Sequence, residues 1–161
     1  MKDRLIGLRE RIEIEMKNIE KTLYQAQDAW DNLKRFPDQQ SHYMSSMAMS
    51  FHSFYSGLER IFEMIARRID PIFPSGEHWH RDLLGQMATE IPEARPAVIS
   101  SETFSMLDDF LAFRHLMRSI YAFELDIDRL KKLLDRLPIA FSYAKEDMDR
   151  FCMLLTRAIS D

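Results

Sequence analysis

From Leu5 to Leu33, apolar side chains return every three or four residues: Leu5, Leu8, Ile12, Met16, Ile19, Leu23, Ala26, Trp30 and Leu33. This spacing lays one stripe along a long α-helix, and that stripe must be buried against other helices. It stops before Pro37, in "FPDQQS", which predicts a loop. A second stripe runs through Met44, Met47, Phe51, Phe54, Leu58, Ile61, Ile65 and Ile69. It predicts a helix starting near Ser41 and ending at "DPIFPSG". A short helix is expected around "HRDLLGQMATEI", followed by the proline-punctuated connection "PEARPAV".

The next helix has a readable start. Ser100 can cap it, with Ile99 and Phe104 as a hydrophobic staple across the cap. It is predicted to run through Met106, Phe110, Phe113, Met117 and Ile120. Asp126 is expected to cap a last helix. The stripe Leu130, Leu134, Leu137, Phe141, Ala144, Met148, Phe151, Leu155 keeps phase through Pro138, so the proline predicts a kink inside one helix. Only four glycines and six prolines occur in 161 residues, and no internal repeat is visible. The reading is all-α: a four- to five-helix, largely antiparallel bundle in a single domain over residues 1–161.

The formal net charge of −4 gives no global field that would recruit nucleic acid. Any such site must be local, or be assembled by oligomerisation. Cys152 is the one cysteine, so no intrachain disulfide can form. Its neighbours Phe151, Met153 and Leu154 predict a buried, inert thiol, which fits a reducing, cytoplasmic setting. No apolar run reaches the length of a bilayer span, and "MKDRLIGLRE" lacks a signal-peptide core, so no membrane association is expected. The sequence holds no Gly-rich phosphate loop, nucleophile elbow or zinc-spaced cysteine pair. That argues against nucleotide-dependent and hydrolytic enzymes of other classes, and no cofactor is expected.

"FRHLMRSIY", residues 113–121, puts two arginines, a histidine and a tyrosine into a stretch that otherwise reads as helix core. On a continuing helix at about 100° per residue, Arg118 lies about 40° from Arg114 and Tyr121 about 20° to the other side. The three would line up on an apolar face with Leu107 and Leu111. His115 falls about 100° round and Ser119 about 140°. Two readings remain open. The arginines snorkel or pair with a core carboxylate such as Glu59, or they form an anion site, since paired guanidinium groups grip phosphate.

The stretch "FRHLMRSIYAFELD" resembles the HepT-like branch of the HEPN superfamily, whose signature is R-x4-H-x-Y on a central helix. Arg114 matches its arginine and Tyr121 its tyrosine. Arg114, His115, Arg118, Tyr121, Leu125 and Asp126 fit one subgroup of the motif. The blocks "GLERIFEMIARRID", "PSGEHWHRDLL", "RPAVIS" and "LLDRLP" extend the likeness over nearly the whole chain. The resemblance implies a helical-bundle ribonuclease toxin paired with a minimal nucleotidyltransferase antitoxin, and a homodimer whose motif helices face each other across an RNA-binding cleft. It implies metal-independent RNA cleavage with Arg114 steadying transition-state charge, phosphate contacts from Arg114 and Arg118, and adenylylation (AMPylation) of Tyr121 by the antitoxin.

The motif histidine is replaced by Ser119, whose hydroxyl cannot exchange protons near neutral pH as imidazole does. The catalytic candidates are therefore Arg114, Ser119, Tyr121 and His115, in an active or a degenerate nuclease. The alternative is a catalytically inactive HEPN dimer serving as an RNA- or protein-binding module. A purely structural helical dimer would leave Arg114 and Arg118 salt-bridged and closed to solvent.

Two other clusters are weaker. Glu77, His78 and His80 suggest a metal, but residues two apart on a helix do not share a face, so exposed or capping roles are expected and no metal site is assigned. Glu124, Asp126 and Asp128 are accounted for by capping at Asp126.

Overall fold

The computed structural model describes residues 2–160. Five helices make up the fold: α1 (Lys2–Arg35), α2 (Gln40–Ile69), α3 (Trp79–Met87), α4 (Ser101–Met117) and α5 (Ile127–Ser160). Short 3-10 turns at Pro37–Gln39 and Ala122–Glu124 precede α2 and α5. No strand is formed among the described residues.

Cross-helix pairs fix the directions. Arg60 of α2 reaches Glu15 of α1, and Gly57 lies against Ile19, so these two helices run antiparallel from the turn at Pro37. Phe51 meets Phe113 and Phe54 meets Phe110, which sets α4 antiparallel to α2. Arg136 pairs with Asp109 while Asp147 holds Thr103, so α5 is antiparallel to α4. Arg9 reaches Thr156, and Lys131 sits over the Trp30 ring, closing α5 onto α1. The result is an up-down-up-down four-helix bundle with α3 laid across one end, against α2 and α4.

The stripes fill its centre. Leu8, Ile12, Ile19, Phe51, Phe54, Leu58, Leu107, Phe110, Leu130 and Leu137 are all buried. At Gly57 an added Cβ would lie 2.5 Å from Ile19 Cγ1, so glycine permits the close approach of α1 and α2. Pro138 sits within an uninterrupted α5 on its exposed side.

Both predicted caps form. Ser100 Oγ accepts from the Thr103 N–H at 3.1 Å, and Asp126 accepts from the Asp128 N–H at 2.9 Å. The Ser100 cap is itself anchored, because buried Asp147 accepts from the Ser100 N–H and the Thr103 hydroxyl. Cys152 is partly buried, and burial pushes its thiol up to about 11, leaving it protonated at neutral pH. No helix is long and apolar enough to cross a membrane.

One expectation about α4 fails. The helix ends at Met117 instead of continuing through Ile120. The Arg118 and Ser119 N–H groups close tight turns on His115 and Leu116, and Tyr121 is already extended. Tyr121 therefore does not share a helix face with Arg114 and Arg118. The 3-10 turn that follows offers its N–H a better acceptor, Glu124 Oε2 at 2.6 Å.

Candidate functional site

The site lies where α2, α3 and the last turn of α4 meet. Its centre is Glu59, which follows Tyr55 by four residues and precedes Phe62 by three on the inner face of α2. A buried carboxylate needs partners. Glu59 has two: its Oε2 receives His80 Nδ1 at 2.7 Å, and its Oε1 faces Arg114 Nη2 at 3.4 Å. Arg114 Nη1 lies 3.2 Å from His80 Nδ1 and 3.5 Å from Nε2, so the guanidinium rests against the imidazole. Three helices thus contribute one residue each to an acid–imidazole–guanidinium cluster.

His80 is held on its other sides by rings. The indole of Trp79 is 3.7 Å from its centroid, Phe73 packs on Trp79, and Arg67 covers Phe73. The His115 ring stands edge-on to His80 at 6.0 Å. Exposed or capping roles for the histidines of "SGEHWH" hold only for His78, which is exposed at the start of α3. His80 turns inward because it precedes Leu83, Leu84 and Met87 by three, four and seven residues, the buried face of α3. That spacing is the signal that could have found it.

Arg114 is 14 % exposed at its side chain and incompletely satisfied, since its buried Nε has no hydrogen-bond partner. Tyr55, fully buried nearby, likewise keeps an unpaired hydroxyl, and burial followed by the Glu59 charge pushes its phenol up. Arg118, one turn on, is exposed and has no carboxylate within ion-pair distance among the described residues. The carbonyl end of α4 partly offsets the gathered positive charge.

Two histidines register that charge. His52, on the face of α2 shared with Ser56 and Glu59, is held below the usual histidine range by burial first, then by Arg114 and, more weakly, Arg118; Glu59 opposes them. His115 is lowered by burial, then by His80, Arg114 and Arg118, again against Glu59. Imidazoles on two different helices thus sit in the positive potential of the same two arginines. His52 was not singled out by sequence. Its signal is the i, i+4, i+7 row His52, Ser56, Glu59 on an otherwise apolar helix.

The structure brings Arg114 and His115 together with Glu59, His80 and His52, with Arg118 at the rim. It places Ser119 and Tyr121 outside that cluster. Ser119 is exposed and its hydroxyl donates to the Leu116 carbonyl at 3.0 Å. Tyr121 is 71 % exposed and stacks in parallel on Phe123, itself 84 % exposed, at 5.3 Å. The purely structural reading is half met: Arg114 is paired with Glu59, whereas Arg118 is open to solvent.

The motif blocks, separate in sequence, meet in space. "GLERIF" supplies Glu59, "EHWHRDLL" supplies His80 and "FRHLMR" supplies Arg114. Just past the end of α2, Asp70 binds Arg95 of "RPAVIS". No curated protein and no solved structure matches the chain. The sequence model described as "HepT-like protein" matches residues 46–155, more than half of the chain and every residue of the cluster. The chain belongs to the HepT-like protein family.

Proposed function

We propose that this HepT-like chain is the toxin component of a toxin–antitoxin pair, acting as a homodimer that binds RNA backbone phosphates at Arg114 and Arg118 and cleaves the strand without a metal. The observation that carries the reading is geometric: at the end of α4, Arg118 is exposed with no carboxylate within ion-pair distance among the described residues, and Arg114 beside it keeps a buried Nε without a partner. A phosphate is the anion that suits the pair. Arg118 offers a free fork of donors, while Arg114, fixed by Glu59 and His80, presents a pre-oriented charge. Two such ends facing each other across a dimer would concentrate four guanidinium groups in one groove of an otherwise acidic protein.

Tyr121 is the handle for silencing. Its exposed phenol, three residues past Arg118, is accessible to a nucleotidyltransferase antitoxin. An attached AMP would bring a phosphate and an adenine to the mouth of the groove and compete with RNA by charge and by volume. A second reading, RNA or protein binding without cleavage, is favoured by Ser119 at the motif position, because its hydroxyl is engaged with the Leu116 carbonyl.

The test is a fluorescence-anisotropy titration with a labelled single-stranded RNA, alongside light scattering for the dimer and a cleavage assay in chelator. Arg114→Ala should weaken RNA binding much more than Arg157→Ala near the end of α5. Equal effects of the two changes would remove the groove, and a monomer at micromolar concentration would remove the shared cleft. Cleavage separates the nuclease from the binding module. Incubation with the cognate nucleotidyltransferase and ATP, followed by peptide mapping, should place adenylyl groups on Tyr121; modification elsewhere would defeat the silencing role.

A further inference from the structure

We infer that His80, oriented by Glu59, is the proton-transfer residue of this site and takes the role that Ser119 cannot fill. The inference rests on the reading of the site as one that acts on RNA. Ser119 stands where the HepT-like motif has its histidine and donates its hydroxyl to a backbone carbonyl, and the imidazole that the motif retains, His115, has no hydrogen bond to Arg114 among the described residues. An imidazole nevertheless lies against the motif arginine, 3.2 Å from Arg114 Nη1, brought there by a different helix.

Its orientation is fixed on one side. With Glu59 Oε2 2.7 Å from Nδ1, that nitrogen carries the hydrogen and donates it to the carboxylate. Nε2 is then the nitrogen left with a lone pair. This is the carboxylate–imidazole pairing by which a buried acid selects a tautomer and holds a ring in place. The Trp79 indole at 3.7 Å restricts rotation of the ring. Burial of Glu59, 6 % exposed, keeps water from competing for Nδ1, while His80, 12 % exposed, retains an opening to solvent. The charged and titratable groups around the pair, among the described residues, are His52 and Tyr55 from α2, and Arg114, His115 and Arg118 from α4.

The step balances without a metal. Nε2 of His80 takes the proton of a ribose 2′-hydroxyl as its oxygen bonds to the adjacent phosphorus. The bond from phosphorus to the 5′ oxygen breaks, leaving a 2′,3′-cyclic phosphate. The departing oxygen takes a proton from water, and the His80 imidazolium returns its proton to solvent. Arg114 sits beside both the base and the phosphate, where charge builds in the transition state. Glu59 is a positioning residue that acts through His80 and Arg114.

The experiment measures RNA binding and single-turnover cleavage in chelator for the wild type, His80→Ala and His80→Asn, using a single-stranded RNA and the same RNA with 2′-O-methyl riboses. His80→Asn keeps an amide near Nδ1 to serve Glu59, so the fold and Arg114 are retained. Both variants should lose roughly 100-fold or more in cleavage while keeping RNA affinity. Imidazole added to His80→Ala should restore part of the rate, which a merely structural role would not allow. Wild-type cleavage in either variant, or a wild type that binds the RNA without cleaving it, overturns the role of His80 and leaves RNA binding standing. A wild type that neither binds nor cleaves overturns the reading of the site itself.

Discussion

Two arginines of this bundle pair with buried carboxylates on or just past α2, and they are built differently. Arg95 is 2 % exposed and saturated. Its Nε and Nη2 form a fork onto Asp70 at 2.6 and 2.7 Å, and its remaining donors reach the carbonyls of Gln86, Thr89 and Pro96. Arg114 is 14 % exposed, its contacts to Glu59 and His80 are 3.2–3.5 Å long, and its Nε is unpaired. The same side chain acts in one place as a rivet joining the end of α2 to the loop before α4, and in the other as a charge with donors to spare. Saturation by short bonds marks a structural arginine. Incomplete satisfaction leaves Arg114 with a donor unused by the fold, as the proposed phosphate site requires.

The sharpest way to break this contrast is to remove each arginine in turn. Arg95→Met leaves the Asp70 carboxylate, 0 % exposed, without its cation and with the neutral Gln86 amide as its side-chain donor, and should cost about 3–5 kcal/mol in urea unfolding. A loss near zero would mean that the fork is not structural. Arg114→Met should cost less, about 1–3 kcal/mol, because it removes longer contacts than the Arg95 fork and Glu59 keeps the His80 Nδ1 donor at 2.7 Å. Its main effect should fall on RNA binding. A larger stability loss at Arg114 than at Arg95 would invert the assignment.

Smaller effects come from the two lowered histidines. Because His52 and His115 titrate below their unfolded values, the stability from their neutral forms is fully present above the unfolded histidine pKa of about 6.5. It is lost as pH falls through the folded values. An RNA phosphate at the arginines reverses the sign locally, so RNA affinity should rise as pH falls across that range. In Arg118→Ala, NMR titrations should move both histidines upward while leaving them depressed, since burial is the larger cause. Unchanged titrations would show that Arg118 does not share their field.

The bundle was legible in the sequence because each long helix carries a continuous stripe and because Ser100 and Asp126 announce two helix starts. The site was only half legible. Arg114 and Arg118 stood out as charges in an apolar run, with Glu59 as one example of a core carboxylate able to pair with them. His80 was passed over because "HWH" reads as a pair two residues apart, whereas its relevant spacing is to Leu83, Leu84 and Met87. The position of Tyr121 was misjudged for an energetic reason: the helical wheel extends any helix, but α4 ends where its N–H groups find closer partners in tight turns and at Glu124. Pairing across helices, as between Asp70 and Arg95, leaves no periodic trace in a sequence.

The central claim is that the Arg114–Arg118 end of α4 is a phosphate site for RNA. It is tested most directly by the salt dependence of RNA binding to the wild type and to Arg118→Ala, an exposed change that leaves the Glu59–His80–Arg114 cluster intact. The wild type should show affinity falling steeply and linearly in a plot of log K against log salt, and Arg118→Ala should weaken binding and lower the slope by about 1 per site. Binding that ignores salt, or a variant whose slope and affinity match the wild type, would contradict it.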